Sequence, residues 1–527
     1  MKVRFFILTG FFSLLFMLIG YQLYSLQIVK GGTYAKKVEA LNELAEKQLL
    51  RRGQILFTDK HNTSIAVALN KEFPHVIAIP KSVVNAKEAA VSLSSILQKD
   101  ETKLEEIFSS GLSYYSLVDK ASDEVVREVT DKNIEGVLVS DAQYRYYPYG
   151  NLSSQLLGFV GLTEREQEPT GLYGIEKYYN ERLKSGEDIA FTIDRSLQEE
   201  SERTLAKLIT EHSATGGTII IQEPTTGKIL AMASAPDFDP NEYKEYAIKN
   251  FINPSVQAIY EPGSVFKPLT MVAGIDSGTL TPDTTFVDTG NVVLNGKKVT
   301  NWDRKAHGKI TMTNVIEDSV NTGTIFAQQK MGRSIFYSYI KKFGFGEVTN
   351  VDLPDEVRGD LRNLERKNAP DIDYATASYG QGIGVTPLQL VTAFSAVANG
   401  GLLMRPYVTE NTEPYVVRRV MSGETATKVT RMMESAVEKG KIASIPEYRI
   451  AGKTGTAFIP ENGRYSEDTV HSYIGFAPAE RARFVILIKL DRPDKPLAGA
   501  TVVPKFKDLA QFILNYYNIA PDKLPSN

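Results

Sequence analysis

Glu261-Pro-Gly-Ser264-Val-Phe-Lys267-Pro268 is the stretch from which the rest of this chain is read. Pro262 and Gly263 break the chain just before Ser264. A proline is tolerated in a helix only in the first turn, where its missing N–H would be unpaired anyway. Pro268 therefore predicts a helix over 264–276 that starts near Ser264, with the hydroxyl at the positive end of the helix dipole. Spacing i,i+3 predicts Lys267 on the same face, one turn along. A lysine desolvated there drops its pKa and can take the serine proton. Taken alone, Ser264 also reads as a helix N-cap. Ser338-Tyr-Ile-Lys341 repeats the spacing where nothing else supports catalysis. A Gly-x-Ser-x-Gly elbow is absent, since it would need glycine at 262 and 266.

Two more short patterns follow in order. Ser319-Val-Asn321 lies between Asn314–Asp318 and the apolar helical run Thr324–Met331. Its two polar side chains come near one side of a tight connection. Ser319 can pass a proton there, and Asn321 can donate an amide to a substrate carbonyl. Alone, the pattern reads as a helix cap. Lys453-Thr-Gly-Thr456 follows Ile450-Ala-Gly452, and its β-branched residues and Gly455 suit a strand edge that approaches ligand closely. Lys453 would hold an anion, and Thr454 and Thr456 can hydrogen-bond a carboxylate. The backbone N–H groups of Ser264 and Thr456 could form an oxyanion hole. A polar turn into a strand is the plainer reading, but it leaves a lysine unexplained among small residues. The three patterns together supply an activated serine, a proton relay and a cationic strand edge. That set suffices for acyl transfer through a serine ester without histidine.

Composition narrows the classes. At 527 residues, two or three domains are expected. A net charge of −3 gives no general basic field for nucleic acid. The absence of cysteine excludes disulfides and thiolate chemistry. Five histidines occur, and none forms an HxxxH or HExxH pair, which argues against a zinc hydrolase. No metal or cofactor is expected.

Lys2 and Arg4 precede an uncharged apolar stretch from Phe5 to Gly20 that thins towards Val29. A bilayer-spanning helix needs about 20 apolar residues. The flanking cations favour a cytoplasmic N-terminus. A small-residue cleavage site is missing, so the segment reads as an uncleaved anchor rather than a signal peptide. Residues 32–50 carry helical spacing. Residues 51–195 mix strands such as His75–Ile79 with helical stretches at Asn85–Leu97 and Asp119–Asp131. Residues 214–517 read as one large α/β unit. Glu223–Gly227 is a hairpin signature there, Ser472–Phe476 and Phe484–Leu490 are buried strands, and Leu509–Tyr517 is a closing helix.

The three motifs, in this order and at these separations, resemble the penicillin-recognising serine acyltransferases. Further stretches are similar to those of class B penicillin-binding proteins, the monofunctional peptidoglycan transpeptidases of division and elongation. They are Arg52-Gly-Gln-Ile-Leu-Phe-Thr-Asp59, Arg145-Tyr-Tyr-Pro148-Tyr-Gly150, Gly158-Phe-Val-Gly161 and Gly174-Ile-Glu176-Lys177. Tyr379-Gly-Gln-Gly382, Thr386-Pro-Leu-Gln389 and Gly475-Phe-Ala-Pro478 complete the set.

The resemblance implies an α/β (α+β) fold: a serine beta-lactamase-like transpeptidase domain over 214–517 with a central antiparallel sheet flanked by helices. It implies a mixed dimerisation-type pedestal domain over 28–195, one transmembrane helix over 5–27 after a cytoplasmic 1–4, and a tail over 518–527. It also implies that Ser264 attacks the D-Ala-D-Ala peptide of a cell-wall precursor and expels D-alanine. An amine of a neighbouring stem peptide then resolves the acyl-enzyme. Catalysis would fall to Ser264, Lys267, Ser319, Asn321 and Lys453, and substrate binding to Thr454, Gly455 and Thr456. Beta-lactams would acylate the same serine. The protein would sit in the cell (inner) membrane, catalytic domain outside, beside a polytopic glycosyltransferase.

Some positions depart from the pattern: Asp59-Lys-His-Asn-Thr63 lacks an expected glycine, Gln155 stands where histidine is common, and Val320 and Phe458 replace more usual residues. Two alternatives remain: a D,D-carboxypeptidase or beta-lactamase, and a non-catalytic beta-lactam-binding scaffold or sensor. No Glu-x-x-Leu-Asn counterpart occurs between Ser319 and Lys453, which weakens a class A beta-lactamase.

Overall fold

The computed structural model describes residues 2–25, 52–61, 63–161, 169–410, 412–461 and 463–523. It divides into a smaller unit built on residues 69–146 and a larger one built on 53–68, 147–161 and 169–523.

In the smaller unit, one long strand pairs antiparallel with Val137–Tyr146, from Leu69↔Tyr146 to Ala78↔Val137. The short strand Tyr115–Val118 pairs with its other side. The helices Ala86–Leu97, Glu101–Ser109 and Asp123–Lys132 begin where Asn85, Asp100 and Ser122 accept hydrogen bonds from the first helical turn. The Ser122 cap starts the third helix later than the sequence pattern suggests. Leu93, Leu104, Phe108 and Leu117 fill the core.

The larger unit has a five-stranded antiparallel sheet: β1 (Gly216–Gln222), β2 (Ile229–Ala235), β3 (Ala451–Glu461), β4 (Arg464–Ala477) and β5 (Phe484–Asp491). Their spatial order is β3-β4-β5-β1-β2, so β3 is an edge strand. Six helices concern the core: α1 (Arg195–Glu211), α2 (Lys267–Asp276), α3 (Asn321–Met331), α4 (Pro387–Ala398), α5 (Gly423–Gly440) and α6 (Val502–Tyr516).

The unbroken apolar run of β5 follows from burial on both faces. Phe484, Ile486, Ile488 and Leu490 enter a core shared with Leu197 and Leu205 of α1 and with Phe506 and Leu509 of α6. Val485 and Leu487 enter the opposite core, with Leu269 of α2, Phe394 of α4 and Met433 of α5. The expected hairpin joins β1 to β2, with Gly227 in the left-handed region at φ +88°.

At the N-terminus, Lys2–Tyr24 is helical, and Phe11, Phe12, Phe16 and Met17 are exposed. Side chains there are described from Gly10 onward, and among the described residues no helix is long and apolar enough to cross a membrane. The helix expected over 32–50 and the last residues of the expected anchor lie outside the described residues.

Candidate active site

Ser264 lies in a single 3₁₀ turn, Gly263–Phe266, that passes into α2 at Lys267. This corrects the expected helix start at Ser264. Pro268 does occupy the first turn of α2, but the cap position belongs to Phe266, and Ser264 is not a cap. The Lys267 backbone N–H closes this turn by donating to Ser264 O. The same spacing at Ser338 and Lys341 falls inside the helix Arg333–Lys342. There Ser338 Oγ donates to Ile335 O at 2.7 Å, and Lys341 pairs with Glu347 at 3.2 Å.

Lys267 is fully buried. Its Nζ donates to Ser319 O at 2.5 Å, Ser319 Oγ at 3.1 Å and Asn321 Oδ1 at 2.8 Å. Ser319 has φ +55°, a left-handed conformation unusual for a non-glycine residue, and presents both its carbonyl and its hydroxyl to this one ammonium. From β3, Lys453 Nζ donates to the same Ser319 Oγ at 3.0 Å and to Thr454 Oγ1 at 3.3 Å. Burial, reinforced by the Lys453 charge, holds the Lys267 ammonium well below the usual lysine range. Burial brings Lys453 down to about 7.

Asn321 opens α3 and donates its Nδ2 to Thr300 O at 3.0 Å. A buried network fixes this junction. Asp288 accepts from Thr322 Oγ1 at 2.7 Å, Asn301 Nδ2 at 2.8 Å, and the Gly290 and His307 N–H groups at 2.9 Å each. Ser319-Val-Asn321 is thus neither a side-chain cap nor a free polar pair. No local pattern marks Asp288, whose partners lie 2 to 34 residues away in sequence.

Gly455 has a different reason from the expected approach of a ligand. A Cβ there would lie 2.9 Å from Val265 Cγ1, 3.0 Å from Pro262 O and 3.2 Å from Val265 N. What comes close is the nucleophile turn itself. Gly263, at φ +60°, meets β3 from the other side: its Cβ would lie 2.9 Å from Ala457 Cβ and 3.3 Å from Thr456 O. Its N–H donates to Gly380 O at 3.0 Å. A Cβ on Gly380 would fall 2.3 Å from Gly263 O, which accounts for a glycine in Tyr379-Gly-Gln-Gly382. Thr454 and Thr456 are half-buried, and Thr456 Oγ1 accepts from the Ala498 N–H at 3.2 Å.

The fold therefore gathers Ser264, Lys267, Ser319, Asn321 and Lys453 from three segments. The arrangement holds two buried lysines of low basicity joined through one hydroxyl, next to a serine on a helix-leading turn. It can move a proton between the lysines without histidine. Residues 217–511 match the penicillin binding protein transpeptidase domain, and residues 48–219 match the penicillin-binding protein dimerisation domain.

The chain belongs to the class B penicillin-binding proteins.

Within this family it is 30% identical to Stage V sporulation protein D of Bacillus subtilis, covering 97% of the present chain and 85% of that relative. It is 27% identical to a peptidoglycan D,D-transpeptidase FtsI of Buchnera aphidicola, covering 99% and 96%. It is also 27% identical to the probable peptidoglycan D,D-transpeptidase PenA of Neisseria gonorrhoeae, covering 92% and 88%. A peptidoglycan synthetase from Bifidobacterium adolescentis shares the penicillin-binding protein fold, with a TM-score of 0.68 at 23% identity over 91% of this chain and 98% of that one.

Proposed function

We propose that this penicillin-binding protein is a peptidoglycan D,D-transpeptidase acting through a Ser264 acyl-enzyme. The observation that carries the reading is the convergence of buried Lys267 and Lys453 on Ser319 Oγ. Lys267 takes the Ser264 proton as Oγ attacks the penultimate D-alanine carbonyl. The Ser264 and Thr456 N–H groups stabilise the oxyanion, and Ser319 returns a proton to the departing D-alanine nitrogen. Lys453, with Thr454 and Thr456, holds the terminal carboxylate, and Asn321 orients the peptide. An amine from a second stem peptide then displaces Ser264. Beta-lactams acylate the same oxygen.

The transpeptidase domain is taken as 214–517 and the pedestal as 28–195. The apolar run from Phe5 and the cations at 2 and 4 support a single-pass anchor with the catalytic domain outside. A polytopic glycosyltransferase is the proposed membrane partner. Labelling with a fluorescent penicillin tests the chemistry. Wild type should label, while Ser264→Ala and Lys267→Ala should stay dark. An unlabelled wild type, or a labelled Ser264→Ala, refutes the assignment.

A further inference from the structure

We infer that a cavity beside the nucleophile turn is the subsite for the acceptor, received as a primary ammonium on an aliphatic arm; this rests on the transpeptidase reading above. The cavity measures about 350 Å³ and belongs to the larger unit. Its lining starts two residues past Thr456, at Phe458 and Ile459, and includes Glu261, three residues before Ser264. These two wall segments flank the place where the nucleophile turn packs on β3, since a Cβ on Gly263 would lie 2.9 Å from Ala457 Cβ. Ile259, Ile383 and Val470 add apolar wall. Phe458 and Ile259 are 49% and 47% exposed, so the apolar surface opens to solvent. Such a lining suits methylene groups.

The charges decide what the arm should carry. Lys489 is paired with Asp491, and Arg362 with Asp360. Glu261 accepts from the Tyr465 hydroxyl at 3.0 Å, and no cation pairs with it among the described residues. Burial pushes its carboxyl up, against hydrogen bonds from the Gly382 N–H and the Tyr465 hydroxyl. A carboxylate taken out of water without a counter-charge is costly, and a ligand ammonium removes that cost. The same carboxyl repels a donor's terminal carboxylate, which Lys453 is placed to hold. A buried amine at Lys453 and a half-buried carboxyl at Glu261 thus sort the two substrates: an anionic end at Lys453 and a cationic arm at Glu261.

The test gives the full-length enzyme an N-acylated D-alanyl thioester as donor. The acceptor is a stem tripeptide with a free side-chain amine, compared with its hydroxyl analogue. Amide product is measured against acceptor concentration. In Glu261→Gln the half-saturating amine concentration should rise at least tenfold, and Glu261→Asp should recover part of it. Ile259→Trp, which fills the cavity without touching the nucleophile turn, should raise it as well. The hydroxyl analogue should compete poorly with the amine in wild type, and that difference should shrink in Glu261→Gln. An unchanged amine dependence in both Glu261→Gln and Ile259→Trp overturns the inference. So does an equal loss of penicillin acylation and aminolysis in Glu261→Gln, because Glu261 then holds the turn rather than the acceptor. A wild type that takes no penicillin at Ser264 instead overturns the transpeptidase reading itself.

Discussion

Lys453 Nζ stands 3.0 Å from Ser319 Oγ, an atom that Lys267 Nζ reaches from the other side at 3.1 Å. Two cations on one hydroxyl disfavour each other, so the resting site favours one charged and one neutral lysine. Acylation needs Lys267 neutral and Lys453 charged. The rate of penicillin acylation by free enzyme should therefore fall as pH rises through about 7, where Lys453 loses its proton. Arginine keeps its charge throughout, so in Lys453→Arg this alkaline fall should disappear. Stopped-flow acylation rates across neutral pH check it.

The same burial has a stability consequence. The Lys453 amine is less basic folded than unfolded, so the unfolded chain binds more protons between about 7 and the ordinary lysine value. Stability from this group is complete above that ordinary value and is lost as pH falls through about 7. Wild type should gain melting temperature from neutral to mildly alkaline pH, and Lys453→Met should gain less. Thermal denaturation in matched buffers measures the difference.

Gly455 admits no side chain without moving the Pro262–Val265 backbone. Gly455→Val should cost about 1–3 kcal/mol by overpacking. Because it displaces Ser264 relative to the lysines, acylation should slow by about 100-fold, out of proportion to the stability loss. Penicillin labelling and calorimetry on one preparation separate the two effects.

Asp288 gathers four donors at the start of α3. Burial opposes its charge, but the hydrogen bonds outweigh it and hold the carboxyl below its usual range. Asp288→Ala strands those donors and should destabilise the protein by about 3 kcal/mol. The contribution of a carboxyl held low is present above its unfolded value and lost as pH falls below it. Wild type should therefore lose stability in acid more steeply than Asp288→Ala. Urea unfolding at neutral and acidic pH decides.

What could be read in the sequence was whatever local rules enforce. β5 is a run of apolar residues because both of its faces are covered, and Glu223–Gly227 turns because Gly227 must. Ser264, Lys267 and Lys453 were legible as candidates because acyl transfer without histidine requires those residue types. The 3₁₀ turn was not, since Pro268 permits either kind of helical start. The left-handed Ser319 and the Asp288 network were also hidden: each depends on partners that only the folded chain brings near. Gly455 was noticed for a sound reason, but the neighbour it makes room for is Val265.

Gly263 is held by Gly380 on one side and by Thr456 and Ala457 on the other. The seat of the nucleophile is thus assembled from chain made midway and late in synthesis. A polypeptide still emerging from the ribosome, or cut short before residue 457, has its serine but not the walls that hold it. Such a chain should be chemically silent. The enzyme carries its own safeguard against reacting with antibiotic or precursor before β3 has been delivered.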